Sequence, residues 1–239
     1  MEQPAYRRVL LKLSGEALEG QQESGIDPVT LEGVARQVKE ICDLGVEVGV
    51  VLGGGNLFRG LSGAASGMNR CVGDAMGMLA TVINGLALQD ALRRVGQPGV
   101  LLSAVPVGGF AEPFSRRRAL AGLAAREVVI LGAGTGNPYF TTDTAAALRA
   151  LEIEADVLLK ATKVDGVYDK DPVAHEDAVK FDAISYQEVI SRRLRVMDLT
   201  AVTLCRENGL PLVVFNLTQA GNIRRVVLGE PVGSRIGRG

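Results

Sequence analysis

Three times in this chain an apolar run breaks directly into a glycine-bearing turn: Val9-Leu10-Leu11-Lys12-Leu13 into Ser14-Gly15, Val46 to Leu52 into Gly53-Gly54-Gly55-Asn56, and Val128 to Leu131 into Gly132-Ala133-Gly134-Thr135-Gly136-Asn137. Runs this short and this apolar read as buried strands. Helical patterns lie between them. Asp27-Pro28 supplies an N-cap and a first-turn proline, after which Leu31, Val34, Ala35, Val38, Ile41 and Cys42 fall on one helical face until Gly45. A long pattern rich in Met, Leu and Ala runs from about Gly73 to Arg94, and its methionines read as core packing. Further strands are predicted at Val100 to Ala104, Val157 to Leu159 and Leu212 to Phe215. Further helices are predicted near Ser115 to Ala125, Thr144 to Leu151 and Asp198 to Asn208, with a shorter one opening on the capping-box spacing of Ser185 and Glu188. This alternation predicts an open, mostly parallel α/β sheet sandwiched between helices. Without an internal repeat or long linker, the 239 residues read as a single domain of two lobes, about 1–155 and about 156–239.

Glycine at the carboxyl end of a parallel strand lets backbone N–H groups approach phosphate oxygens closely. One such turn is weak evidence, but three on one sheet, two of them near Lys12 and Arg59, point to a large anionic ligand. The absences narrow the chemistry. No G-x-x-x-x-G-K-[ST] segment exists, nor a protein-kinase set, and the glycines at 132, 134 and 136 fail the G-x-G-x-x-G spacing of a dinucleotide fold. The one histidine, His175, sits in a polar stretch, which argues against Cys-His, Ser-His-Asp or histidine-ligated zinc chemistry. No metal-ligating cluster is expected. Three widely separated cysteines (Cys42, Cys71, Cys205) fit reduced thiols. A formal charge of −1 without a long basic run does not advertise a nucleic-acid surface, and the Arg116-Arg117-Arg118 cluster reads as a solvated helix face or subunit contact. A strand within ten residues of Met1 leaves no room for a signal peptide, and no apolar run reaches the ~20 residues of a membrane span, so a cytoplasmic location is expected.

Taken together, Leu11-Lys12-Leu13-Ser14-Gly15-Glu16, Gly53 to Gly60, Met68-Asn69-Arg70 with Gly73-Asp74, Gly134 to Asp143, and Lys160 to Tyr168 closely resemble the bacterial UMP kinases of the amino-acid kinase superfamily, in order and over nearly the whole chain. The resemblance implies direct transfer of the γ-phosphoryl group of ATP to UMP, with Mg²⁺ carried by ATP. It also implies a homohexamer built from dimers, with GTP and UTP as effectors. By similarity Lys12 and Asp143 are the catalytic pair. Lys12, Leu13, Ser14, Gly15, Gly55, Arg59, Thr162, Tyr168 and Asp171 would serve ATP, the C-terminal lobe being the ATP side. Gly54, Asp74, Thr135, Gly136, Asn137, Pro138, Tyr139, Phe140, Thr141 and Thr142 would serve UMP in the N-terminal lobe. Lys160 and Lys163 would add charge on the ATP side, in roles the sequence does not separate. Asp74 also reads as a carboxylate at a helix start, and Asp143 as a helix N-terminal carboxylate. Two other readings stand beside this one. A kinase of a carboxylate metabolite would replace the Gly134 to Thr142 loop with an amino-acid site, and a non-catalytic nucleotide sensor would not need Lys12 and Asp143 together.

Overall fold

The computed structural model describes residues 3–58 and 67–238, so Arg59 lies outside the described residues. In chain order the strands are β1 (Arg8–Leu13), β2 (Glu47–Leu52), β3 (Gly99–Ser103), β4 (Glu112–Pro113), β5 (Val128–Gly132), β6 (Val157–Thr162), β7 (Val167–Tyr168), β8 (Lys180–Phe181), β9 (Ala183–Ser185), β10 (Leu212–Asn216) and β11 (Ser234–Gly237). The helices are α1 (Pro28–Asp43), α2 (Arg70–Arg94), α3 (Arg116–Ala124), α4 (Thr142–Glu152), α5 (Tyr186–Ser191), α6 (Leu199–Asn208) and α7 (Asn222–Val227). Among the described residues, nine strands form one sheet in the order β4-β3-β5-β2-β1-β6-β10-β11-β9, while β7 and β8 form a separate antiparallel hairpin. Every pairing in the large sheet is parallel except β10 with β11.

Side chains alternate across a strand, so β1 supplies two cores at once. Val9, Leu11 and Leu13 pack with α1, α2 and α7, through residues such as Val38, Leu88 and Val226. Leu10 packs on the opposite face under α3, α4, α5 and α6, through Leu123, Ala146, Val189 and Val202. Helix α4 buries Ala145, Ala146, Ala147 and Ala150 completely, and these small side chains let it lie close against the sheet. The sheet runs unbroken through β6, so the two halves of the chain share one sheet and both cores.

The caps show why the helices start where they do. Asp27 accepts from the Thr30 N–H at 2.9 Å with Pro28 in the first turn, and Ser185 and Glu188 form the reciprocal capping box. Helix α2 begins at Arg70, three residues before the expected Gly73, because Asn69 accepts from the Cys71 N–H at 2.9 Å. Asp74 is therefore one turn inside the helix rather than at its start. Helix α4 likewise opens at Thr142 instead of Thr144, with Thr141 as its cap. The 25-residue α2 is long and apolar enough to cross a membrane by length and composition, contrary to the sequence reading. Its buried face, with Val82, Leu88, Ala91 and Leu92, packs in the first core. Strands β4, β7, β8, β9 and β11, of two to four residues, are too short for a periodic signal and were not expected.

Candidate active site

Connections leaving β1 and β6 run to opposite sides of the sheet, β1 toward β2 and β6 toward β10. Such a divergence opens a crevice at the carboxyl ends of the strands. Lys12 on β1 and Lys160 on β6 stand side by side there in the parallel register, both on the face that carries Leu10 and Leu158. The first turn of α4 closes over them. Thr141 accepts from the N–H groups of Asp143 and Thr144 at 3.0 and 3.4 Å, and Asp143 then meets both ammonium groups. Its Oδ1 lies 2.9 Å from Lys12 Nζ and its Oδ2 2.7 Å from Lys160 Nζ.

The side chains of Lys12, Asp143 and Lys160 are 9%, 15% and 14% exposed. Burial of charge costs several kcal/mol per ion unless the ions are well paired. Here burial pushes the Asp143 carboxyl up, but the two ammonium groups outweigh it and hold the group below the ordinary carboxylate range. Burial lowers Lys160, against the pull of Asp143. Lys160 also donates to the Val196 carbonyl at 2.5 Å. The Lys12 contact is ionic without hydrogen-bond alignment, so Asp143 Oδ1 is buried without an aligned donor among the described residues. Two ammonium groups share one carboxylate, which leaves the cluster a positive charge in excess at the ends of two strands.

Two clefts lie near this cluster. The first, of about 510 Å³, is lined by Gly54, Gly55, Asp74, Gly134, Thr135, Asn137, Phe140, Thr141 and Thr142, together with Glu16, Phe58 and several α2 residues. The second, of about 680 Å³, is lined by Lys160, Thr162, Tyr168, Asp171 and the turn Arg192 to Val196, among others. Thr142, next to Asp143, belongs to the first wall and Lys160 to the second. The cluster thus opens on the second cleft through Lys160, and the wall of the first reaches its sequence neighbour Thr142.

Side-chain ties set the shape of the first cleft. Asn56 and Asn84 exchange amide hydrogen bonds at 3.0 and 2.7 Å, and Asn84 also donates to the Gly53 carbonyl at 2.7 Å, binding the glycine turn to α2. A Cβ on Gly54 would lie 2.8 Å from the Gly77 carbonyl of α2, so only glycine permits that approach. The Ala133 N–H donates to Thr81 Oγ1 at 2.8 Å, which fixes the second turn to the same helix. Asp74 accepts from Arg70 Nε at 3.0 and 2.9 Å and from the Tyr139 N–H at 2.7 Å.

The residues singled out from sequence separate as follows. Gly54, Asp74, Thr135, Asn137, Phe140, Thr141 and Thr142 share the first cleft, as expected of one subsite. Gly55, expected with ATP, lines this cleft as well. Thr162, Tyr168 and Asp171 share the second. Tyr139 is exposed, with its ring under the Arg70 guanidinium at 5.4 Å, and Gly136 and Pro138 complete the same loop. Leu13 is fully buried, so only its backbone faces the crevice end of β1, and Ser14 makes no capping hydrogen bond with its hydroxyl. Lys163 is exposed, whereas Lys160 belongs to the cluster, which separates two lysines the sequence left together. Sequence reasoning missed Asp198, which accepts from the Thr144 hydroxyl at 2.9 Å, from the Thr141 hydroxyl and from the Ala201 N–H at 2.9 Å. It ties the starts of α4 and α6 together. Its N-cap position before Leu199 was visible, but its second partner was not.

The sequence model of the Amino acid kinase family matches residues 7–216. A uridylate kinase of Aeromonas salmonicida is 58% identical over 233 residues, covering 98% of this chain and 96% of the relative, and one of Vibrio cholerae is 57% identical over the same span. Among solved structures, UMP kinase from Bacillus anthracis superposes with a TM-score of 0.94 at 39% identity, covering 97% of this chain and 96% of that one. UMP kinase from Ureaplasma parvum gives 0.92 at 36% identity over the full length of both chains.

Proposed function

The chain belongs to the amino acid kinase family, and from that membership we propose that it transfers the γ-phosphoryl group of ATP directly to the 5′-phosphate of UMP, giving UDP and ADP, a step in pyrimidine nucleotide synthesis. The observation that carries the reading is the buried Lys12–Asp143–Lys160 cluster, which lines one cleft through Lys160 and stands beside Thr142 of the other, in a chain close to uridylate kinases over nearly its whole length. Phosphoryl transfer between two nucleotides requires positioning and charge neutralisation more than covalent chemistry. The first cleft holds the acceptor and the second the donor, which divides the protein into an acceptor-side lobe of about 1–155 and an ATP-side lobe of about 156–239. A carboxylate acceptor or a purely sensing role has no comparable support.

Lys12 places its ammonium where negative charge grows on the transferring group. Asp143 orients Lys12 through their ion pair, Lys12 and Lys160 together keep Asp143 ionised, and the Val196 carbonyl holds Lys160 in place. Backbone N–H groups of the turns after β1 and β2, at Leu13 to Gly15 and at Gly54 and Gly55, face the phosphates, with Arg59 joining from the adjoining segment. Asp74 accepts from the acceptor ribose, and residues 135–142 enclose the base and phosphate. Thr162, Tyr168 and Asp171 hold the adenosine end of ATP.

Among the described residues no group of three or more His, Cys, Asp or Glu side chains could hold a metal ion. Mg²⁺ would come with the phosphates of ATP, since the ion keeps several waters and binds through substrate phosphates. When bound it neutralises phosphate charge. Asp143 Oδ1, buried without an aligned donor, would accept from a water on that ion.

The reading extends to a cytoplasmic homohexamer regulated by GTP and UTP. Val72, Met76, Leu79 and Ile83 form an exposed apolar stripe along α2 at helical spacing, which supports self-association. ADP release measured with each nucleoside monophosphate tests the acceptor. A site that hydrogen-bonds uracil leaves polar groups unpaired against cytosine, and such discrimination reaches about 10⁴–10⁵ in favourable cases. We expect UMP far ahead of CMP in kcat/KM, and equal values would overturn the assignment.

A further inference from the structure

Helix α4 carries a second charged residue whose burial the transfer chemistry does not explain. Arg149, two turns after Asp143, is 5% exposed. Its guanidinium lies over the Phe114 ring at 3.9 Å, pairs with Glu152 at 2.5 Å, and donates through Nη2 to the Gly134 carbonyl at 3.2 Å. Gly134 sits in the turn that bounds the first cleft, and this turn needs support. Ala133, Gly134 and Gly136 all have positive φ, at 61°, 58° and 80°, a conformation that is costly for Ala133. Phe114 in turn is pinned to the end of β3 by its N–H donating to the Ser103 carbonyl at 2.8 Å. The same strand end supports the turn a second time, because the Ala104 N–H donates to the Gly132 carbonyl at 3.1 Å.

A buried guanidinium is expensive to desolvate, and a single partly exposed glutamate does not require one at this position. The planar fork suits the task found here, since it can stack on a ring and direct a hydrogen bond to one carbonyl at the same time. We propose that Arg149 is a positioning residue for the acceptor: it braces the Gly134 turn against Phe114 and so sets the geometry in which Thr135 and Asn137 meet the nucleoside monophosphate. The inference rests on the first cleft being the UMP subsite. Arg149 lines neither cleft and acts only through the turn.

The test is steady-state kinetics of Arg149→Met, Arg149→Lys and Phe114→Leu, with UMP affinity measured separately by calorimetry. Loss of a charge-assisted hydrogen bond is worth roughly a factor of ten or more. Arg149→Met should raise KM and Kd for UMP at least about tenfold, with KM for ATP moving far less. Arg149→Lys should recover part of that loss by keeping the charge, and Phe114→Leu should weaken UMP in the same direction while leaving the pair with Glu152 intact. If Arg149→Met does not fold, the other two variants decide the matter. UMP and ATP constants that rise together, or a UMP affinity unchanged in all folded variants, would overturn the role while leaving the UMP reading intact. A wild-type protein inactive on UMP would remove both.

Discussion

Lys12 and Asp143 present separable effects at the scale of the single residue. Lys12→Ala removes one electrostatic donor and should lower kcat by roughly 10²–10³ with UMP affinity nearly unchanged; single-turnover kinetics beside UMP titration checks this. Asp143→Asn does more, because it leaves Lys12 and Lys160 buried side by side without the carboxylate they share. Breaking a buried pair in this way costs about 3–5 kcal/mol, so the variant should lose both turnover and stability. The pH dependence follows from the direction of the shift. A carboxyl held below its ordinary value of 3.8 contributes stability that is present above that value and lost as pH falls through the lowered one. Denaturant midpoints at fixed protein concentration should therefore converge for wild type and Asp143→Asn in strong acid and stay well apart at pH 7. A constant separation at every pH would show that Asp143 acts by packing and not by charge.

Between elements, the important contacts are those that bring two turns onto α2. The Gly53–Gly55 turn is held by the Asn56–Asn84 pair and by the close approach of Gly54 to Gly77, and the Ala133 turn by Thr81. Gly54→Ala would place a methyl 2.8 Å from the Gly77 carbonyl and 2.9 Å from Ala80 Cβ, neither of them a flexible side-chain end. The turn must shift away from the helix. Misplacement of about 1 Å at a reacting site can cost about 10²-fold, so kcat/KM for UMP should fall by that order while the folded content seen by circular dichroism persists. Near-normal kcat/KM in this variant would mean that the glycine turn is not part of the acceptor wall.

For the whole molecule, the apolar stripe on α2 is the feature that a monomer leaves unexplained. Val72, Met76, Leu79 and Ile83 are 52%, 40%, 48% and 53% exposed on the side of the helix turned away from the core. Leu79→Glu would put a charge in the middle of any surface buried there. Light scattering should then report a smaller species than wild type, and an unchanged mass would place the subunit contact elsewhere.

Much of this protein is legible in its sequence because the signals are local. Apolar runs ending in glycine announced β1, β2 and β5, and the caps at Asp27 and Ser185 act as their spacing suggested. Lys12, Asp143 and the residues expected at UMP could be named from contiguous motifs, and Gly54, Asp74, Thr135, Asn137, Phe140, Thr141 and Thr142 line one cleft. The rest depended on which strands become neighbours. Lys160 cannot be told apart in role from Lys163 until β6 pairs with β1 and sets it beside Lys12. Asp198 and Arg149 have no local signal for their partners, because the Thr141 hydroxyl, the Gly134 carbonyl and the Phe114 ring are brought to them only by helix packing. Sequence spacing determines which face of a strand or helix a side chain occupies, whereas the order of strands in the sheet determines what that face meets.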